Sequence, residues 1–310
     1  MGSELDGKLG RDIAPDVATG LVGATTVAAL RAELADTLDR NGVPLPAVEA
    51  RDILAAIMDV PRLWPVTNAD SAVPPDAITN ARRAVARRVA GAPFAYAVGR
   101  AAFRHLTLDV DERVLIPRQE TELLPELVME MARTPGGVAV DVGTGSGAIA
   151  LSLATEGAFD SVIATDISLD ALAVARANAA VLTTALRAPV SFVHGAGLAP
   201  LAGSRLRAVV ANPPYITYGE MADLPASVRD WEPAMALCCA DDGLRVTMNI
   251  VRDAASLLEP DGVLALEVDT RRAGVVAEVV AADGRYHELS VRLDLTGRER
   301  FVTARRRGGG

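Results

Sequence analysis

The stretch VAVDVGTGSGAIA, residues 138–150, decides the fold prediction, because an apolar strand runs directly into a glycine-rich turn and then into a helix. Glycine has no Cβ, so the backbone at Gly143, Gly145 and Gly147 can approach a ligand closely. The amides at the N-terminus of the following helix then point towards that ligand. The pattern is typical of a nucleotide-binding turn at the carboxyl end of a parallel strand.

The segments on either side of this turn alternate between short apolar strands and helices. This alternation predicts an α/β fold with a doubly wound, mostly parallel sheet of the Rossmann-like type. The predicted helices lie near 148–155, 169–182 and 246–258. The predicted strands are 138–142, 161–165, 190–193, 208–211 and 263–268.

A smaller helical domain precedes the sheet. Apolar residues recur at helical spacing through 27–59, with a break at Asn41-Gly42, and a third helix is predicted over 76–90. We predict a mobile N-terminal extension over 1–26, a helical domain over 27–90 and a linker over 91–117. Alternation through 103–114 predicts a β-hairpin in that linker. The catalytic domain is expected over 118–306, and the tail from Arg305 onward is expected to fray.

Composition and charge exclude several classes of protein. The net charge of −9 argues against broad, non-specific wrapping of nucleic acid. Cys238 and Cys239, the only cysteines, suggest buried apolar residues in a reducing cytoplasm rather than a disulfide framework or a zinc site. His105, His194 and His287 lack ligand-like spacing, so no metal is expected. No segment approaches the roughly 20 apolar residues of a membrane helix.

The glycine turn alone is ambiguous, since it also satisfies the loose dinucleotide pattern G-x-G-x-x-G/A, and it is compatible with a purely structural turn. Asp141 favours S-adenosylmethionine, because a carboxylate there can engage the charged amino-acid end of that cofactor and would repel a pyrophosphate. Asp166 ends the next strand, where it can accept hydrogen bonds from both ribose hydroxyls. The predicted cofactor-binding residues are Asp141, Gly143, Thr144, Gly145, Ser146, Gly147, Asp166, Ile167 and Asn212.

Asn212-Pro213-Pro214-Tyr215 follows the apolar strand 208–211. A planar amide or aromatic amine nitrogen is a weak nucleophile, because its lone pair is delocalised. Two acceptors that hydrogen-bond to its N–H groups can align that lone pair with a methyl-sulfonium bond. Asn212 and the Pro213 carbonyl can supply these acceptors, and Tyr215 can stack on the flat target group. We predict that Asn212, Pro213 and Tyr215 are catalytic and that all four residues bind substrate. The alternative is an ordinary proline turn that only ends a strand. The motif by itself does not distinguish a glutamine amide from adenine as the target.

Several further motifs resemble the protein-(glutamine-N5) methyltransferases that modify peptide chain release factors. They are GAPFAY at 91–96, VLIPRQETELL at 114–124, the cofactor turn at 141–151, the substrate turn at 209–216, WEP at 231–233 and GRER at 297–300. The resemblance implies S-adenosylmethionine as cofactor and a peptide chain release factor as partner. Asn212 and Pro213 would bind the amide of the glutamine in its Gly-Gly-Gln motif, which is the group that is methylated. The helical domain would contact the body of the release factor.

Two segments depart from that family pattern. The family usually has an acidic residue near the adenine after the strand that ends at Val193, whereas this chain has HGAG at 194–197. A Glu-x-Gly often ends a later strand, whereas this chain has Glu267-Val268-Asp269. Adenine binding would therefore depend on backbone amides and apolar contact.

Other functions stay open at this level: N-methylation of another protein, of a small metabolite or of adenine N6 in nucleic acid, and cofactor binding without activity. The arginine-rich stretch 81–104, which has no acidic residue, is either a docking face or a solvated helix surface. We also expect a structural ion pair between Arg118 and Glu120.

Overall fold

The computed structural model describes residues 25–240 and 243–308, and its N-terminal part is a helical layer with a core of its own. Leu30, Leu34 and Leu38 recur on one face of the first helix and are buried, as expected for an amphipathic helix that packs against its neighbours. The helices of this layer are α1 (Val27–Arg40), α2 (Pro46–Met58), α3 (Trp64–Thr67), α4 (Pro75–Val89) and α5 (Phe94–Val98).

The predicted N-terminal extension lies outside the described residues except at its last two positions. The carbonyl of Thr25 accepts a hydrogen bond from the Val73 amide at 2.9 Å. The Thr26 hydroxyl accepts from the Ala29 amide at 3.2 Å and so caps the N-terminus of α1. These two threonines are therefore part of the helical layer.

A β-hairpin joins the helical layer to the sheet, but its predicted extent was wrong. Its strands are β1 (Arg100–Phe103) and β2 (Leu106–Asp109), paired antiparallel. The alternation that we read over 103–114 covers only the second strand, because the chain turns at Arg104, where φ is +52°. The Arg104 guanidinium holds this turn against the catalytic domain through an ion pair with Glu156 at 2.7 Å.

Within the described residues the main sheet has seven strands in the order β5-β4-β3-β6-β7-β9-β8. Strands β3 to β7 pair in parallel, and β9 is antiparallel to β7 and β8, which confirms the predicted doubly wound, mostly parallel fold. The elements are α6 (Leu123–Met131), β3 (Val138–Val142), α7 (Ala148–Glu156), β4 (Ser161–Asp166), α8 (Leu169–Val181), β5 (Val190–His194), β6 (Leu206–Ala211), α9 (Ala226–Arg229), α10 (Ala234–Leu237), α11 (Arg245–Leu257), β7 (Leu258–Glu267), α12 (Ala273–Asp283), β8 (Tyr286–Leu293) and β9 (Glu299–Arg306).

The central strands are apolar on both faces, because helices cover both sides of the sheet. Ala139 and Val210 pack into the cluster that includes α6 and α7, whereas Val140 and Val209 pack into the cluster that includes α11 and α12. This double burial explains why these strands appear in the sequence as continuous apolar runs. It leaves the strand ends as the place where polar side chains can gather.

The expectation of a frayed tail was wrong for Arg305 and Arg306, which lie in β9, while residues 309–310 fall outside the described residues. Arg305 is buried in β9, where it pairs with Val263 of β7. Its guanidinium donates to the Asp261 carbonyl at 2.9 Å, to Glu288 Oε2 at 3.0 Å and to the Met131 carbonyl. A buried cation is tolerated when its donors are paired in this way, so a run of arginines at the end of the chain did not indicate an unstructured tail.

We predict that Phe103→Ala destabilises the protein by about 3–5 kcal/mol, because the Phe103 ring is fully buried where the hairpin meets the catalytic domain. Urea unfolding monitored by circular dichroism measures this loss. Phe94→Ala is the matched control, since that ring is 36% exposed and should lose less. Equal losses at the two positions would show that the hairpin is not anchored through Phe103.

Candidate active site

A cavity of about 630 Å³ lies at the carboxyl ends of the central strands. It occupies the point where the strand order reverses between β3 and β6, the position at which doubly wound folds bind ligands. Its walls are the glycine turn after β3, the end of β4, the segment after β5, the turn after β6, the linker at 112–115 and one face of α11. The structure therefore brings both predicted turns to a single cavity.

The three glycines of the turn after β3 have positive φ angles of +74°, +55° and +87° at Gly143, Gly145 and Gly147. A Cβ added at Gly143 or Gly145 would meet no atom of the described residues within 4 Å, and both glycines line the cavity. A Cβ at Gly147 would instead lie 3.1 Å from Leu151 Cδ1. The first two glycines thus leave room for a ligand, while the third allows the helix to pack closely.

Asp166 lies at the end of β4 with its carboxylate fixed by two backbone amides. Oδ2 accepts from the Gly145 amide at 2.9 Å, and Oδ1 accepts from the Ser168 amide at 2.9 Å. Each carboxylate oxygen retains a further lone pair, and the residue lines the cavity together with the exposed Ile167. The arrangement suits a pair of ligand hydroxyls.

Asp141 is fully buried beneath the glycine turn and does not line the cavity within the described chain. Its Oδ2 accepts from the Thr144 hydroxyl at 2.6 Å and from the Ala150 amide at 3.1 Å, and its Oδ1 has no partner among the described residues. Burial raises the pKa of Asp141 to about 7. Thr144 and Ser146 are buried as well. Asp141 and Thr144 support the turn from below through their hydrogen bond, and direct contact with a cofactor stays a prediction for all three residues.

The Asn212 side chain is oriented by a residue that sequence reasoning did not single out. Its Nδ2 donates to Thr121 Oγ1 at 3.1 Å, although 91 positions separate the two residues along the chain. Asn212, Pro213 and Pro214 line the cavity. With Nδ2 engaged by Thr121, the Oδ1 atom of Asn212 is the acceptor left for a ligand.

Tyr215 is partly buried, and it is absent from the cavity walls formed by the described residues. Burial raises the pKa of its phenol to about 12, with the Glu267 carboxylate nearby adding to this rise and Arg300 opposing it. The phenol is therefore neutral at physiological pH. Its predicted stacking on the target group stays a prediction.

The segment after the Asn-Pro-Pro-Tyr turn folds back over the cavity, and Pro233 and Cys238 from it line the wall. The buried Glu232 anchors this segment: its Oε1 pairs with Arg118 at 2.6 Å and its Oε2 accepts from the Ile116 amide at 3.2 Å. The predicted Arg118–Glu120 ion pair was wrong, because the buried Glu232 carboxylate takes the arginine.

Sequence patterns did not indicate that linker residues 112–115 and one face of α11 line the cavity, or that Thr121 contacts Asn212. Thr121 lies in the motif quoted at 114–124, but its spacing from Asn212 does not indicate contact. Cys238 and Cys239 are buried, as expected. Residues 25–240 and 243–308 contain no cluster of histidine, cysteine or acidic side chains that could hold a metal ion. None of the helices in these ranges has the length and apolar character needed to cross a bilayer.

We predict that Asp141→Asn changes how the stability of the cofactor-free protein depends on pH. The native state binds a proton at Asp141 more tightly than the unfolded state does, since the native pKa is raised to about 7. The contribution of Asp141 to the free energy of unfolding therefore falls as pH rises from about 4 to about 7. Relative to wild type, the Tm of the variant should rise across this window and then level off.

Thermal unfolding followed by circular dichroism at several pH values measures this difference. Asp76→Asn, at an exposed position in the first turn of α4, is the control and should track the wild type. A constant Tm difference between wild type and Asp141→Asn across the window would contradict the assignment.

Comparisons with known proteins agree with this geometry. Residues 119–225 match the family described as "Methyltransferase small domain", and residues 29–99 match "PrmC N-terminal domain". The structure is similar to that of the hMettl16 catalytic domain in complex with an RNA hairpin, with a TM-score of 0.52 over 79% of this chain and 86% of that one. At 14% identity this likeness concerns the fold alone.

Relatives with much higher identity span nearly the whole chain. The release factor glutamine methyltransferase of Deinococcus radiodurans is 40% identical over 88% of this chain and 95% of its own length. The protein of the same name from Moorella thermoacetica is 40% identical over 90% of this chain and 99% of its own length. The likeness extends across the helical layer, the linker and the sheet, and the chain therefore belongs to the release factor glutamine methyltransferase family.

Proposed function

We propose that this protein transfers a methyl group from S-adenosylmethionine to the side-chain amide nitrogen, N5, of the glutamine in the Gly-Gly-Gln motif of peptide chain release factors. One observation carries the proposal in a chain of this family: the Asn212-Pro213 turn lines the same cavity as Gly145 and Asp166. A cofactor held by the glycine turn and an amide held by the proline turn would then share a single space. Because translation takes place in the cytoplasm, we place the protein there.

The residues on the cavity wall fit S-adenosylmethionine. Gly143 and Gly145 leave open space where a Cβ would otherwise project, and the lone pairs that Asp166 retains suit the ribose hydroxyls. Ile167 and Leu198 would offer apolar contact to the adenine, and Ala196 stands where the family usually has an acid. When bound, S-adenosylmethionine supplies a methyl group on a positively charged sulfur. We assign Asp141, Thr144, Ser146 and Gly147 to shaping the turn that holds it.

The acceptors of the proline turn would orient the substrate. The lone pair of an amide nitrogen is delocalised, so the nitrogen reacts only when it is held in line with the methyl group. We assign Asn212 Oδ1 and the Pro213 carbonyl oxygen as acceptors for its two N–H groups. Positive charge develops on nitrogen during transfer, and these carbonyl dipoles stabilise it. The methylated nitrogen then releases a proton to water and regains amide conjugation, so no general base is required.

The arginine-rich stretch 81–104 does not form an open basic face. Within the described residues, five of its six arginines pair with carboxylates of the same chain. The pairs are Arg82–Glu33, Arg87–Glu112, Arg88–Glu49, Arg100–Asp59 and Arg104–Glu156. Together with the net charge of −9, this pairing disfavours methylation of adenine in nucleic acid. Docking of the release factor on the helical layer would then depend on contacts other than a free basic patch.

The test compares substrates directly. We expect labelled S-adenosylmethionine to transfer its methyl group to a purified release factor, and not to DNA or RNA. Mass spectrometry of the Gly-Gly-Gln peptide should show the gain of one methylene on the glutamine. A release factor with that glutamine replaced by asparagine is the control and should stay unlabelled. Label in nucleic acid alone would contradict the proposal.

We predict that Asn212→Ala lowers kcat by about 100- to 1,000-fold, as expected when one preorganised polar partner of a transition state is removed. Affinity for S-adenosylmethionine, measured by calorimetry, should stay close to that of the wild type, because the glycine turn and Asp166 are unchanged. Thr183→Ala, at an exposed position just after α8 and away from the cavity, is the control and should keep full activity. Full activity of Asn212→Ala would exclude Asn212 as the acceptor.

A further inference from the structure

Glu267 is a buried carboxyl at the end of β7 that the mechanism above does not use. Strand β6 pairs in parallel with β7, and Ala211 lies opposite Leu266. Asn212 and Glu267 are the next residues along these strands, so they lie at neighbouring strand ends. The Oε2 atom of Glu267 is buried without a hydrogen-bond partner among the described residues. Burying an acidic side chain without a full set of partners costs folding free energy, so Glu267 is expected to serve a function.

Thr121 lies between Glu267 and Asn212. It is buried, its oxygen accepts from Asn212 Nδ2 at 3.1 Å, and its hydroxyl lies close enough to the Glu267 carboxylate to lower the pKa of that group. A hydroxyl has a single proton to donate and lone pairs to accept with. The three side chains therefore lie in a row from Glu267 through Thr121 to Asn212, which lines the cavity.

We propose that Glu267 and Thr121 are positioning residues that determine which end of the Asn212 amide faces the substrate. An ionised carboxylate can only accept hydrogen bonds, so the hydroxyl of Thr121 donates its single hydrogen bond to Glu267. The threonine oxygen is then left as an acceptor, which selects the Nδ2 end of Asn212 and turns Oδ1 towards the cavity. If the amide were reversed, its NH₂ would face the NH₂ of a glutamine, and two donors would oppose each other. The inference rests on the proposed function.

The charges around Glu267 come from three elements. Arg300 on β9 and Arg118 before α6 favour its ionised form, Glu120 disfavours it, and Glu267 in turn raises the pKa of Tyr215. Burial dominates and raises the pKa of Glu267 to about 7. Below that pH a protonated carboxyl can donate to Thr121, which frees the threonine proton to bond the Oδ1 end of Asn212 instead. We therefore expect kcat to fall as pH drops through about 7.

The experiment measures kcat for methylation of a purified release factor together with affinity for S-adenosylmethionine by calorimetry. Thr121→Val, which removes the hydroxyl at nearly constant volume, should lower kcat about 10- to 100-fold with unchanged cofactor affinity, the range expected for a misplaced reacting group. Thr121→Ser, which keeps the hydroxyl, should have a kcat close to that of the wild type. Glu267→Gln, which cannot ionise, should lower kcat and flatten the acid limb of the pH profile.

Thr303→Val is the matched control, because Thr303 is a buried threonine whose hydroxyl donates to the Ser290 carbonyl in the neighbouring strand. Wild-type rates for Thr121→Val, or an equal loss in Thr121→Val and Thr303→Val, would overturn the positioning role while leaving the proposed function intact. An unchanged acid limb in Glu267→Gln would overturn the role of Glu267. No methylation of the release factor by the wild type would overturn the proposed function and this inference with it.

Discussion

The parallel pairing of β3 with β6 is the constraint from which the rest of the site follows. Val142 lies opposite Ala211 in this pair, so Gly143 and Asn212 leave the sheet side by side. The strand order runs outward in opposite directions from this pair, and the connections after the two strands therefore separate and leave a crevice. A turn that holds a methyl donor and a turn that holds an acceptor need this proximity, because transfer requires the reacting atoms to be in contact.

Two buried carboxyls stand beneath the two turns in similar arrangements. Asp141 accepts a hydrogen bond from the Thr144 hydroxyl under the cofactor turn, and Glu267 lies near Thr121, the residue that accepts from Asn212 of the substrate turn. Burial raises the pKa of each carboxyl to about 7. In a medium of low dielectric such hydrogen bonds are strong, and an incomplete set is costly. Each turn is thus held in one conformation by a polar group that stays out of the cavity.

The helical layer is tied to the cavity wall through the segment after the proline turn. Trp231 lies beneath the Arg87 guanidinium of α4, 5.6 Å from the centre of the ring, and the adjacent Glu232 is paired with Arg118. Tyr96 of α5 donates its hydroxyl to the Val114 carbonyl in the linker. These contacts join the helical layer to the cavity wall. The proposed docking of a release factor on the helical layer would therefore place it at a defined distance from the cavity.

The sequence by itself determined the doubly wound sheet, the helical layer and the two turns, because apolar periodicity and glycine or proline at fixed positions act locally. Only the tertiary structure decided which side chains meet. Nothing in the spacing indicated that Thr121 contacts Asn212, or that Glu232 rather than Glu120 pairs with Arg118. The buried place of Arg305 depends on its register with β7, which local propensity does not encode. Asp141 is adjacent to the glycine turn in sequence, yet the double burial of β3 directs its carboxyl beneath the turn, since side chains of a covered strand have no exposed face to turn to.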